Sequence, residues 1–260
     1  MLKALLARAH QGHRTLAYPA GDPPPMPERF RGLPALDPSK CPNGCRSCAD
    51  VCPTDAIPGD GPLALDLGRC LFCVACTTAC PEGAIAFTHD FRLATRRRED
   101  LVLAGGPLPL ADALEGKLRR LFGRSLKLRV VSAGDCNACS SDVNVLETVG
   151  WDIGRFGINT VASPRHADGL LVTGPVTENM RLALEKTYDA VPPPKIVIAV
   201  GACAISGGPY ADRPEQHGGV SSILPVDLFI PGCPPHPLTI LDGLLRLMGL
   251  LEKQRRTPRG

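Results

Sequence analysis

The stretch LKLRVVSAGDCNACS, residues 126–140, sets the architecture of the larger part of the chain. Its first half is a short apolar run rich in leucine and valine that halts at Ala133-Gly134, as a strand does at a turn. Its second half places two thiols, Cys136 and Cys139, just beyond that halt. The design recurs in KIVIAVG (195–201), followed by Cys203, and in VDLFIPG (226–232), followed by Cys233. INTVAS (158–163) and GLLVTG (169–174) supply two more strands, and ENMRLALEKTYDA (178–190) and HPLTILDGLLRLMGLLEK (236–253) are helical patterns. Apolar strands alternating with helices predict a parallel sheet covered on both faces over residues 126–253. Ligands of such sheets bind beyond the carboxyl ends of the strands. Four thiols reaching that edge from three loops point to a [4Fe–4S] cluster, with buried structural cysteines as the plainer alternative.

Residues 41–90 carry the other eight of the twelve cysteines, in two related halves: CPTDAI (52–57) is answered by CPEGAI (80–85). The second half reads Cys70-x2-Cys73-x2-Cys76-x3-Cys80-Pro81, the bacterial ferredoxin run for a [4Fe–4S] cluster. In that run the fourth cysteine serves the other cluster. Cys52, Cys70, Cys73 and Cys76 therefore form one quartet, and Cys41, Cys45, Cys48 and Cys80 the other. The first half departs from the pattern, because three residues rather than two separate Cys41 from Cys45. Tetrahedral zinc is the alternative occupant, and with it a zinc-stabilised scaffold of no redox role. Three quartets consume every cysteine and leave none to bind nickel or act as a nucleophile. The expected chain carries electrons and transforms no substrate.

Outside these regions, residues 1–40 join a basic amphipathic segment, with Leu2, Leu5, Leu6 and Ala9 near one face, to the proline-rich stretch AYPAGDPPPMPERFRGLPALDP (17–38), which should run extended over a surface. Residues 91–125 read as a linker: a charge run at Arg96–Arg98, then a docking helix with Leu114, Leu118, Leu121 and Phe122 on one side. Residues 254–260 form a basic tail. The 260 residues have ordinary globular composition, 44% hydrophobic and 21% charged. Lys plus Arg exceed Asp plus Glu by three, and aromatics are 4%, which excludes the basic and stacking surface of a nucleic-acid binder. No secretory signal is evident, and no apolar run approaches the roughly 18 residues of a membrane span. A cytoplasmic protein with reduced or metal-bound thiols is expected.

These motifs resemble a known group of proteins. AYP, FRG-x-P, the two cysteine runs, LGRCLFC and RRRED are similar to the dicluster ferredoxin subunit of formate hydrogenlyase and related group 4 [NiFe] hydrogenases. From Leu126 to Leu251, GDCNAC, RFGI, SPRHADGLLVTGPVT, GACAISGG and IPGCPPHP resemble the small subunit of the same complexes and of respiratory complex I. The resemblance implies a fusion of two subunits: an α+β dicluster ferredoxin domain followed by an α/β flavodoxin-like domain, with three [4Fe–4S] clusters. It implies a peripheral arm on the cytoplasmic face of a membrane complex, with a large subunit, membrane subunits and a soluble donor or acceptor such as a formate dehydrogenase or ferredoxin as partners. Cys136, Cys139, Cys203 and Cys233 would hold the cluster proximal to the large-subunit active site. Arg155 and Arg165 match arginines beside that cluster. The Cys136-x2-Cys139 spacing sides with the hydrogenases, whereas Ala138, and Asp142 where a glutamate is usual, depart from them. A shorter acid at 142 could still pass a proton. The departures leave open a complex I-like, quinone-reacting or nickel-free relative.

Overall fold

A computed structural model describes residues 2–12, 14–42 and 44–251. The basic tail and the last two residues of the 236–253 helical pattern lie outside the described residues. In chain order the elements are α1 (Leu2–Gln11), β1 (Pro34–Leu36), α2 (Ser47–Asp50), β2 (Leu65–Asp66), α3 (Ala75–Ala79), β3 (Ile85–Phe87) and β4 (Val102–Leu103). They continue with α4 (Gly116–Phe122), β5 (Leu126–Ser132), α5 (Ala138–Val145), β6 (Ile158–Thr160), β7 (Gly169–Thr173), α6 (Glu178–Ala190), β8 (Ile196–Val200), α7 (Ala202–Ser206), β9 (Leu228–Ile230) and α8 (Pro237–Leu247).

The five strands expected from residue 126 onward form one parallel sheet in the order β6-β5-β7-β8-β9. All five residues of β7 and of β8 are buried, as a strand covered on both faces requires. Alternation along these strands sorts their side chains between two cores. Leu171, Ile196, Ile198 and Val200 pack with Leu238, Leu241, Leu244 and Leu245 of α8. Leu170, Val172, Val197 and Ala199 face the other way, into a buried cluster shared with Leu65, Leu67, Phe72, Leu101 and Leu103 of the cysteine-rich half.

That half therefore shares one of the sheet's covering layers with Leu184 of α6 and Ala204 and Ile205 of α7. It contains two small antiparallel pairs, β1 with β3 and β2 with β4, and the short helices α2 and α3. The 91–125 segment does more than link. Its β4 completes the β2 pair, and Thr95 exchanges backbone hydrogen bonds with Phe229 on edge strand β9. The Arg96–Arg98 run is not a free solvated face. Arg96 donates to the Asp227 carbonyl, Arg97 pairs with Asp100, and Arg98 forks onto Asp66 at 2.8 and 2.6 Å. On α4 the expected apolar side is narrower than the pattern implied: Leu114 and Phe122 are buried but Leu121 is 48% exposed.

The proline-rich stretch straps the two halves together. Leu16 N–H donates to Gly150, Arg155 donates to the Tyr18 carbonyl at 2.8 Å, and Gly32 and Leu33 bond to Thr88 and Asp90. The Tyr18 hydroxyl donates at 2.6 Å to Asp242, which is fully buried in α8 and also takes a 2.6 Å bond from Arg246. Helix α1, by contrast, buries none of its residues, and Leu2, Leu5 and Leu6 stand exposed.

Candidate metal centres

Eight of the cysteines line two cavities, four in each, and the other four lie in loops at one sheet edge; among the described residues no three are close enough to hold a single metal ion. Cys41, Cys45, Cys48 and Cys80 line one small cavity with Leu63, Ala84 and Ile85, and Cys52, Cys70, Cys73 and Cys76 line a second with Ile57, Leu65 and Phe87. Cys80 and Cys52 cross over, each joining the three cysteines of the other half. The extra residue between Cys41 and Cys45 does not pull either thiol out of its cavity.

Local backbone geometry explains the crowding. Phe72 and Val74 both adopt positive φ, at 54° and 61°, which turns the chain sharply between Cys70, Cys73 and Cys76. For a β-branched valine this is an outlier, of the kind that persists only where surrounding structure enforces it. The turns aim backbone N–H groups at sulfur: Ala56 donates to Cys52 Sγ at 3.2 Å, Phe72 to Cys70 Sγ at 3.3 Å and Ala84 to Cys80 Sγ at 3.3 Å. Such bonds favour charge on the sulfur, whereas burial opposes it and, with neighbouring thiols, pushes Cys70 up to about 12 and Cys76 up to about 11. Left alone, these thiols keep their protons; a bound metal takes the proton's place.

The third quartet sits at the carboxyl edge of the parallel sheet. Cys136 and Cys139 follow β5, Cys203 is on α7 directly after β8, and Cys233 follows β9. The Cys139 thiol is pushed up by burial and by the nearby thiols of Cys203, Cys233 and Cys136. Gly201, at φ 91°, lets the chain pass close beneath the group, since a Cβ there would stand 2.5 Å from Cys139 Sγ. Cys139 is buried, while Cys136 and Cys233 are exposed at the rim.

The quartets are neighbours. Cys48 adds to the electrostatic environment of Cys76, and Cys73 to that of Cys233. Cys73 and Cys233 both line an open cleft of about 360 Å³ between the halves, together with Arg29, Arg31, Asp142 and His236. Ser206 of α7 hydrogen-bonds the Gly68 carbonyl at 2.9 Å, tying the loop before Cys70 to the helix that carries Cys203.

Other candidates fall as follows. Asp142 is half-buried in the cleft, where desolvation raises its carboxyl. His236 caps α8, its Nδ1 accepting from Leu238 N–H, and stacks edge-on with Phe30 and Trp151. Arg155 is exposed, bonded to the strap and lying over the Phe156 ring, and Arg165 is exposed on the 164–166 turn. Sequence reasoning passed over Asp135. Burial opposes its ionisation, but the hydroxyls of Ser132, Ser140 and Thr173 and the backbone N–H of Asn137 outweigh burial and hold the carboxyl below its usual range. The available signal was an acid directly before Cys136 with hydroxyl residues at the ends of two adjacent strands.

A parallel sheet presenting four thiols from its carboxyl edge defines a class of α/β protein built to hold an inorganic group there. The profile of the family described as "NADH ubiquinone oxidoreductase, 20 Kd subunit" matches residues 136–247, which span all four of those thiols. The probable membrane-bound hydrogenase subunit mbhJ of Pyrococcus furiosus is 42% identical over 137 residues, covering 53% of this chain and 82% of the relative. Formate hydrogenlyase subunit 7 of Escherichia coli is 40% identical over 155 residues, covering 58% of this chain and 61% of the relative. An NADH-quinone oxidoreductase subunit of Clostridium beijerinckii is 46% identical over 110 residues, covering 42% of this chain and 65% of the relative. The chain belongs to the 20 kDa subunit family, and these relatives are subunits of oxidoreductase complexes. A solved chain from the membrane-bound sulfane sulfur reductase, an archaeal respiratory membrane complex, matches at TM-score 0.46 and 34% identity over 52% of this chain and 75% of that one. The family profile begins at Cys136 and leaves the first eight cysteines outside it.

Proposed function

We propose that this chain is the electron-transfer arm of a membrane-associated hydrogenase or formate hydrogenlyase-type complex. In this reading residues 41–90 form a dicluster ferredoxin domain fused to the family's α/β domain, and each cysteine quartet holds one [4Fe–4S] cluster. The observation that carries it is the adjacency of the three groups of cysteines: α2, which carries Cys48, packs on α3, which carries Cys76, and Cys73 and Cys233 line one cleft. The donor sets suit such clusters: four thiols apiece, two of the sets beside small cavities lined largely by apolar side chains and met by backbone N–H groups. A bound cluster supplies reversible one-electron storage at each site. The chain's own part is to fix the spacing of the sites, surround the first two largely with apolar side chains, and leave Cys136 and Cys233 at a rim that a large subunit can cover.

Electrons would pass between a soluble donor at the Cys41–Cys45 end and the active site of that large subunit at the Cys233 end. Asp142, raised by burial beside Cys233, is placed to pass a proton across the same rim. Among the described residues no helix is long and apolar enough to cross a membrane. Membrane subunits would hold the arm on the cytoplasmic face, with α1 offering exposed leucines and the cations Lys3 and Arg8 to the bilayer or to those subunits.

The second reading, a quinone-reacting or nickel-free complex, is favoured by Ala138 and Asp142 and by the NADH-quinone oxidoreductase relatives. Metal analysis of the anaerobically purified complex separates the two. The first reading expects about one nickel for each copy of this chain, located in the large subunit. Iron without nickel would replace it with the second.

A further inference from the structure

Outside the cleft that holds Asp142, several buried or half-buried aspartates among the described residues lie beside a cation. Asp66 pairs with Arg98, Asp90 with Arg92 and Asp242 with Arg246, while Asp227 accepts from Val197 N–H near Arg96. Asp135 differs. It takes hydroxyl bonds from Ser132 at 2.5 Å, Ser140 at 2.6 Å and Thr173 at 2.9 Å, and among the described residues it forms no ion pair. Those donors come from the end of β5, the start of α5 and the end of β7, so the fold itself holds the carboxylate in place. The hydroxyl dipoles offset part of the carboxylate's field without neutralising it, so a net negative charge stands at the sheet edge next to Cys136. Asp135 directly precedes Cys136 in the chain, and its donor Ser140 directly follows Cys139.

We infer that Asp135 is a tuning residue: a fixed, uncompensated negative charge that lowers the reduction potential of the group held by Cys136, Cys139, Cys203 and Cys233. The sign follows from electrostatics, because the reduced form of that group carries one more negative charge and is the form a nearby carboxylate destabilises. The charge adjoins two of the four cysteines in the chain, so the effect falls on this site. It sets the third site below the value its cysteines and burial alone would give, and so sets how readily it accepts an electron from the second. The inference rests on the proposal that this quartet holds a [4Fe–4S] cluster.

The test is a redox titration of the anaerobically purified complex, followed by low-temperature paramagnetic resonance. The signal is assigned to the third site by its absence in Cys139→Ser. At the midpoint of the unaltered protein, Asp135→Asn is expected to raise the ratio of reduced to oxidised third site about tenfold, ~59 mV for one electron. Asp135→Glu should restore the original midpoint, and the other two sites should not move in either variant. Ser132→Ala keeps the carboxylate and removes a donor that offsets its charge, so it should shift the same midpoint downward. A midpoint unchanged in both Asp135→Asn and Ser132→Ala would overturn the inference while leaving the cluster assignment intact. If Asp135→Asn loses the cluster, Ser132→Ala decides alone. Absence of any signal that Cys139→Ser removes would instead overturn the functional reading beneath it.

Discussion

Asp242→Ala is expected to cost about 3–5 kcal/mol of stability, because it removes the buried partner of a guanidinium and leaves the cation in place. Asp242 is fully buried among the leucines of α8. Its two oxygens take the Tyr18 hydroxyl and the Arg246 Nε, each at 2.6 Å. Burial, reinforced by the Asp242 charge and hydrogen bond, pushes the Tyr18 phenol far above its ordinary range, so Tyr18 stays a donor under all physiological conditions. The carboxylate thus joins three parts of the chain: the strap, the last helix and, through that helix, the sheet. Anaerobic thermal unfolding measures the loss, expected as a drop in midpoint of more than about 6 °C. Tyr18→Phe, which leaves the Asp242–Arg246 pair intact, should cost only about 1–3 kcal/mol. A change below about 1 kcal/mol for Asp242→Ala would show that the strap is not held this way.

Replacing Cys80 by serine is expected to remove the same cluster as replacing Cys45, although the two residues lie in different halves of the internal repeat. The cavity that Cys80 lines is that of Cys41, Cys45 and Cys48. Each single variant should lose about four irons, one cluster's worth. The double variant Cys45→Ser/Cys80→Ser should lose no more than either single, since both act on one site. Cys80→Ser/Cys73→Ser should lose about eight, because independent sites add. If Cys80→Ser and Cys73→Ser instead removed the same four irons, the crossed assignment would be wrong and each half of the repeat would hold its own cluster.

The α/β half was largely legible in the sequence because its central strands β7 and β8 are apolar runs that stop at Gly174 and Gly201. Helix α6 covers Glu178–Ala190 as its pattern predicts, and β5 falls two residues short of 126–134. The last helix is shorter than its apolar pattern. It stops at Leu247 because Gly249, at φ 69°, turns the chain out, a termination signal that a run of leucines concealed. The quartets were legible because thiol spacing is itself the chemical constraint. Less visible was everything made by distant contact. The β2–β4 pair is two residues long and has no periodicity to read. Leu121 sits at helical spacing from Leu114 and Leu118 yet faces solvent. The Tyr18–Asp242 bond joins residues 224 positions apart, and Asp135 draws its hydroxyls from two strands and a helix.

The central claim is that all twelve cysteines hold iron–sulfur clusters in three sites. It is tested most directly by producing the chain anaerobically, counting iron and zinc, and recording low-temperature paramagnetic resonance after reduction. The account predicts about twelve irons per chain, essentially no zinc, and the interacting signals of three reduced clusters. Zinc in place of iron, with no signal on reduction, would contradict it.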